Sequence, residues 1–76
     1  MRYSLGMNLL QALTPIRNAT ISARQRLADP EIGTRVEAGR IQVVRYHFPP
    51  GKRSPVVTPL SEWVSPSDAV KTLDAL

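Results

Sequence analysis

Apolar and polar positions are patterned most clearly over residues 41–48, an eight-residue run rich in β-branched and aromatic side chains. Such side chains pack well on a pleated surface, and successive ones point to opposite faces. Val44, Tyr46 and Phe48 therefore share one face, while Ile41, Val43, Arg45 and His47 share the other. The first face is apolar from Val44 onward, so Val44, Tyr46 and Phe48 are expected to be buried together. Pro49-Pro50-Gly51-Lys52 follows at once. Proline presets φ at the first central position of a turn, and glycine accepts the positive φ that a type II turn demands at the second. Residues 54–58 then offer a short return strand around Val56 and Val57. Its flanking Pro55 and Pro59 have no N–H to donate, which marks it as an edge. The pattern predicts one β-hairpin, about 41–48 and 54–58. A lone hairpin is marginal in water, so it must pack on helices or pair with another chain.

Helical spacing surrounds this ribbon. Four times a short polar residue precedes proline where an apolar pattern begins: Thr14-Pro15, Asp29-Pro30, Thr58-Pro59 and Ser65-Pro66. A side-chain oxygen at the N-cap accepts from an orphan N–H, and proline at the first helical position lacks a donor that had no partner anyway. Each pair is therefore read as a helix start. Residues 4–13 carry Leu5, Leu9, Ala12 and Leu13 on one side; residues 15–28 carry Ile16, Ala19, Thr20, Ala23 and Leu27 at helical spacing. Pro15 either ends the first segment or kinks one long helix, because its ring crowds the carbonyl of Gln11. A third, short helix is expected from Asp29-Pro30-Glu31, with Ile32 and Val36 inward and Gly39 terminating it. Residues 59–64 read as a single turn carrying Trp63. Ser65-Pro66-Ser67-Asp68 resembles a capping box, opening a C-terminal helix over about 66–75 with Ala69, Val70, Leu73 and Leu76 apolar. The expected class is α+β: short N-terminal helices, one hairpin and a C-terminal helix in a single small domain, residues 1–76.

Composition narrows the chemistry. The chain has 76 residues and no cysteine, so a disulfide framework and a thiolate metal site are both excluded. A chain this short buries only about 60–65% of its unfolded surface, which favours a homodimer or a bound partner. No apolar run approaches the roughly 20 residues that cross a bilayer, and no signal-peptide cleavage site is convincing; the cytoplasm is the expected compartment. His47 is the only histidine, and no glycine-rich elbow accompanies it. Neither metal-ligand spacing nor a phosphate-cradling loop is present. The sequence thus points away from an enzyme and calls for no cofactor.

What remains is charge. Eight arginines and two lysines face six acids, for a net +4. The charge comes in blocks: residues 1–28 and 40–53 are basic, residues 29–39 and 54–76 are acidic. Arginine forks bind phosphate bidentately and tolerate burial at interfaces. Arg17, Arg24, Arg26, Arg35, Arg40, Arg45, Lys52 and Arg53 are therefore the candidate nucleic-acid-binding residues, and Tyr46 and Trp63 the candidate anchors of a protein interface. Short helices followed by a hairpin tipped by Lys52-Arg53 have the element order of a winged helix-turn-helix. Residues 30–38 would then be its recognition helix and residues 51–53 its wing tip. The leading expectation is a DNA-binding accessory or regulatory factor. The competing one is a small interaction factor, such as a virus-encoded inhibitor or an assembly subunit, that covers a partner's surface.

Overall fold

A computed structural model describes residues 9–76; Arg2 and the start of the segment read as helical from residue 4 lie outside the described residues. Five elements follow one another: α1 (Leu9–Leu27), β1 (Ile32–Glu37), β2 (Arg40–His47), β3 (Val56–Pro59) and α2 (Pro66–Asp74). The three strands form an antiparallel sheet in the order β1-β2-β3. The class is α+β with a helix first, as the pattern predicts.

The element boundaries resolve one open alternative and carry two corrections. α1 runs through Pro15 without ending there. The stretch expected as a third helix is strand β1, paired with β2 from Ile32↔Arg45 to Glu37↔Arg40. Ile32 and Val36 share a face at a spacing of four in a strand as in a helix, so that spacing did not discriminate; the alternation Ile32, Thr34, Val36 did. Residues 59–64 form no helical turn either, and the strand–loop stretch follows β2. Leu60 N–H donates to Val43 O at 2.7 Å, and Ile41 and Val64 exchange N–H···O bonds at 2.8 Å each. Between these points Ser61 fills in, its Oγ accepting from Val43 N–H at 3.0 Å and its carbonyl from Gln42 Nε2 at 3.1 Å.

The core sits where both helices meet the sheet. Ala12, Ile16, Ala19 and Ala23 of α1 and Ala69 and Leu73 of α2 close on Ile32, Ile41 and Val43. Three of the four α1 residues are alanine, which lets the helices approach closely. Thr20 is buried beside them, its hydroxyl satisfied by Ile16 O at 2.7 Å. The core therefore uses the Ile41/Val43 face of β2. On the opposite face Val44 is buried, Tyr46 is half-buried and Phe48 is 68% exposed, so the expectation that the three are buried together holds only for Val44. Phe48 lies one residue past the end of β2, on the face that α1 and α2 do not cover.

Both free edges of the sheet are managed. Tyr46 N–H donates to Glu31 O at 2.8 Å, which sets the phase of the β1–β2 ladder. Alternation then turns the main-chain groups of Ile32, Thr34 and Val36 away from β2. Two of those carbonyls are capped by side chains: Arg24 Nε donates to Ile32 O at 2.6 Å, and the Tyr46 hydroxyl to Thr34 O at 3.1 Å. Tyr46 reaches the edge by crossing Gly33, where an added Cβ would stand 2.8 Å from the ring carbon Cε2. On β3 the register places Val57 and Pro59 outward, so the missing proline donor falls where no ladder bond is lost.

The turns and caps follow from local chemistry. Lys52 N–H donates to Pro49 O at 3.2 Å with Gly51 at φ 76°, the type II turn read from the sequence. Ser65 caps α2 by accepting from Asp68 N–H at 3.2 Å, with Pro66 at the first helical position. The β1–β2 turn, Ala38-Gly39, has φ of 51° and 75°, the positive pair of a two-residue I′ hairpin. α1 closes in a Schellman arrangement, Asp29 N–H to Arg24 O and Ala28 N–H to Gln25 O, with Ala28 at φ 49°. Alanine carries a steric cost at both positive-φ sites.

Two substitutions test these roles in one set of thermal melts. Ala38→Asn supplies a residue suited to the first turn position and is expected to stabilise by about 0.5–1 kcal/mol, a Tm rise of about 2–8 °C. Gly33→Ala must displace the tethered Tyr46 ring and is expected to destabilise by about 1–3 kcal/mol.

Candidate ligand groove and cationic surface

The eight candidate cations divide by what holds them. Arg45 sets Nε at 2.9 Å and Nη2 at 2.5 Å from Asp29 Oδ2, while Asp29 Oδ1 accepts from Glu31 N–H at 3.0 Å. Asp29-Pro30 is thus a turn whose side chain anchors a strand arginine, not a helix start. Arg26 reaches from α1 to the end of α2, donating to Leu73 O at 3.0 Å and Leu76 O at 3.1 Å; a cation there complements the helix dipole. Arg35 donates to Gln42 Oε1 at 2.8 Å, and its guanidinium carbon lies 5.2 Å from the Trp63 ring centroid. That stacking occupies Trp63, a half-buried ring packed beside the sheet. Arg24 caps the β1 edge.

Only Arg45 among these arginines is paired with a carboxylate among the described residues. Arg17, Arg40, Lys52 and Arg53 are exposed and lack such a partner among the described residues. They do not form one continuous patch. Arg40 starts β2 at the Ala38-Gly39 turn, whereas Lys52 and Arg53 lie in the loop at its other end. Eight strand residues separate those ends by about 25 Å. Arg17 and Arg24 stand seven apart on α1, about 10 Å along its axis.

Two adjoining concavities lie beside β1, and Arg24 and Tyr46 line both. One, of about 530 Å³, is walled by Arg24, Pro30, Glu31, Ile32, Tyr46, Phe48 and Pro55. The other, of about 440 Å³, runs along α1 past Leu13, Arg17, Thr20 and Ile21 to Gly33 and Tyr46. Glu31 is the one acid of the two walls, and its Oε2 lies 2.9 Å from His47 Nδ1. The combined lining is largely apolar, with aliphatic side chains, two aromatic rings and two prolines, and carries two arginines against that one acid. Pro30 and Pro55 are site residues that sequence reasoning missed, and Phe48, expected in the core, is at the site instead; the signal for it was Pro49, which flanks it just past the last strand residue.

Among the described residues no cluster of three histidine, cysteine or acidic side chains is placed to hold a metal ion. No helix of the described residues is long and apolar enough to cross a membrane.

The Arg45 guanidinium, helped by the Glu31 N–H, holds the Asp29 carboxyl below its ordinary value. A carboxyl lowered in the folded state stabilises above its unfolded pKa, near 4, and that contribution is lost as pH falls through the lowered folded value. Denaturant midpoints are therefore expected to be level above about pH 5 and to fall on acidification below about pH 4. In Asp29→Asn that acid limb should be shallower; an unchanged limb would show that Asp29 does not contribute to it. Compared with known proteins, the chain matches no family model, no curated protein and no solved structure, so its own geometry carries the functional reading.

Proposed function

We propose that this chain is a small, non-enzymatic binding protein for nucleic acid, a DNA-binding accessory or regulatory factor working through unneutralised cations. The observation that carries it is the distribution of ion pairs. Asp29 is ion-paired with Arg45 and Glu31 is hydrogen-bonded by His47; among the described residues no carboxylate comes within ion-pairing distance of Arg17, Arg40, Lys52 or Arg53, although Glu37 stands opposite Arg40 in the ladder. Phosphate is the ligand chemistry that arginine and lysine so displayed serve best. The route differs from a winged helix, because Ile32–Glu37 is a strand and supplies no recognition helix. Contact would come instead from the groove beside β1 and from the tip of the β2–β3 loop.

Binding of a random-sequence DNA to the full chain, followed by anisotropy across a salt series, tests this. Affinity is expected to fall steeply as salt rises. Lys52→Ala/Arg53→Ala should reduce the log–log slope by about 1–2, roughly one for each phosphate that is no longer neutralised. Absence of binding even at low salt would overturn the proposal. The covering of a partner protein would then lead, favoured by Leu10 and Leu13, which α1 leaves 79% and 51% exposed.

A further inference from the structure

Resting on the nucleic-acid reading above, we infer that the groove lined by Arg24, Tyr46 and Phe48 takes unpaired bases of a single strand, stacked on the aromatic rings, in preference to a duplex. Three features lead there. First, the groove offers flat apolar surface where a folded protein ordinarily hides it. Phe48 is 68% exposed, and Pro30, Ile32 and Pro55 surround it and Tyr46. Aromatic side chains beside a basic groove are the platform on which single-strand binders stack successive bases, whatever their sequence.

Second, the spacing suits an opened strand. Tyr46 and Phe48 are two residues apart on one face, about 7 Å in extended backbone. That is roughly twice the 3.4 Å that separates stacked nucleotides of one duplex strand. Consecutive bases reach both rings only when the strand is stretched and the bases are unstacked from each other. The volume of about 530 Å³ also falls within the range of sites that enclose small flat ligands.

Third, cations accompany the rings. Arg24 lies between the two concavities, and Arg17 extends the positive line along α1. Lys52 and Arg53 stand on the same loop that contributes Phe48 and Pro55. Arg24 commits Nε to the Ile32 carbonyl, which fixes its guanidinium, and among the described residues neither terminal nitrogen has a hydrogen-bond partner, so both can turn to a phosphate. The lone acid of the walls, Glu31, is engaged by His47. A backbone threaded from Arg17 past Arg24 to Lys52 and Arg53 would lay its bases over Tyr46 and Phe48.

The test compares three labelled probes of equal length on the full chain: an oligothymidylate, the same sugar–phosphate strand without bases, and a duplex. The oligothymidylate is expected to bind about tenfold more tightly than the abasic strand, the scale of one stacked base, and more tightly than the duplex. Phe48→Ala, a change at an exposed position, should erase the preference over the abasic strand without weakening abasic binding. Phe48→Trp should retain it. Equal binding of oligothymidylate and abasic strand, a preference for duplex, or an equal loss on all probes in Phe48→Ala would each overturn the groove assignment while leaving the cationic reading intact. Failure to bind any probe at low salt would overturn both.

Discussion

The structure depends on one strand being paired on both sides. β2 buries Ile41, Gln42, Val43 and Val44 in succession, and a backbone taken out of water must find partners for every N–H and C=O. β1 supplies them along one side and β3, with the Ser61–Val64 continuation, along the other. The demand is strict enough that where the chain bulges at Ser61, a hydroxyl stands in for the missing carbonyl at Val43 N–H. A two-stranded ribbon would have left one side of this strand open. The third strand is what allows so short a chain to bury a β-strand at all.

Completing the centre moves the problem to the edges, and the solution there also shapes the candidate site. A bare edge strand invites pairing with other chains. β3 avoids this with prolines in its outward register. β1 avoids it with two borrowed side chains, Arg24 from α1 and Tyr46 from β2, which meet over Gly33. A larger residue than glycine at position 33 would block that crossing. The same two residues line both concavities, so the device that protects the edge also presents a fixed cation beside an aromatic ring. Arg24 is unusual among the tethered arginines in this respect, since Arg26, Arg35 and Arg45 are held by groups that lie away from the concave surface.

Local chemistry was legible where it acts over a few residues. The Pro50-Gly51 type II turn, the Ser65 cap with Pro66, the proline-blunted edge strand, and the Ile16/Ala19/Thr20/Ala23 stripe all stand as the residues suggest, although Leu27, expected to continue that stripe, is exposed at the end of α1. The polar–proline pairs were a weaker guide. Only Ser65-Pro66 begins a helix; Thr14-Pro15 lies inside one, Asp29-Pro30 makes a turn, and Thr58-Pro59 belongs to a strand. Proline fixes its own φ and biases the preceding residue toward extended backbone, which suits a turn or an edge strand as well as a helix cap.

Residue order by itself determined that the chain would be α+β, that its centre would be a strand of branched and aromatic residues, and that its excess charge would be arginine-borne. Those properties depend on neighbours in sequence: side-chain branching, turn chemistry and net charge act without reference to the rest of the fold. The tertiary structure decided the rest. Ile32–Glu37 became a strand because β2 had an unpaired side to satisfy, overriding a helix-compatible spacing. Which face of β2 became core was settled by where α1 and α2 could pack, and this left Phe48 outside. Which arginines stayed free was settled by which acids the turns brought within reach. Each of these outcomes turns on interactions between residues far apart along the chain, and no short window of sequence contains both partners.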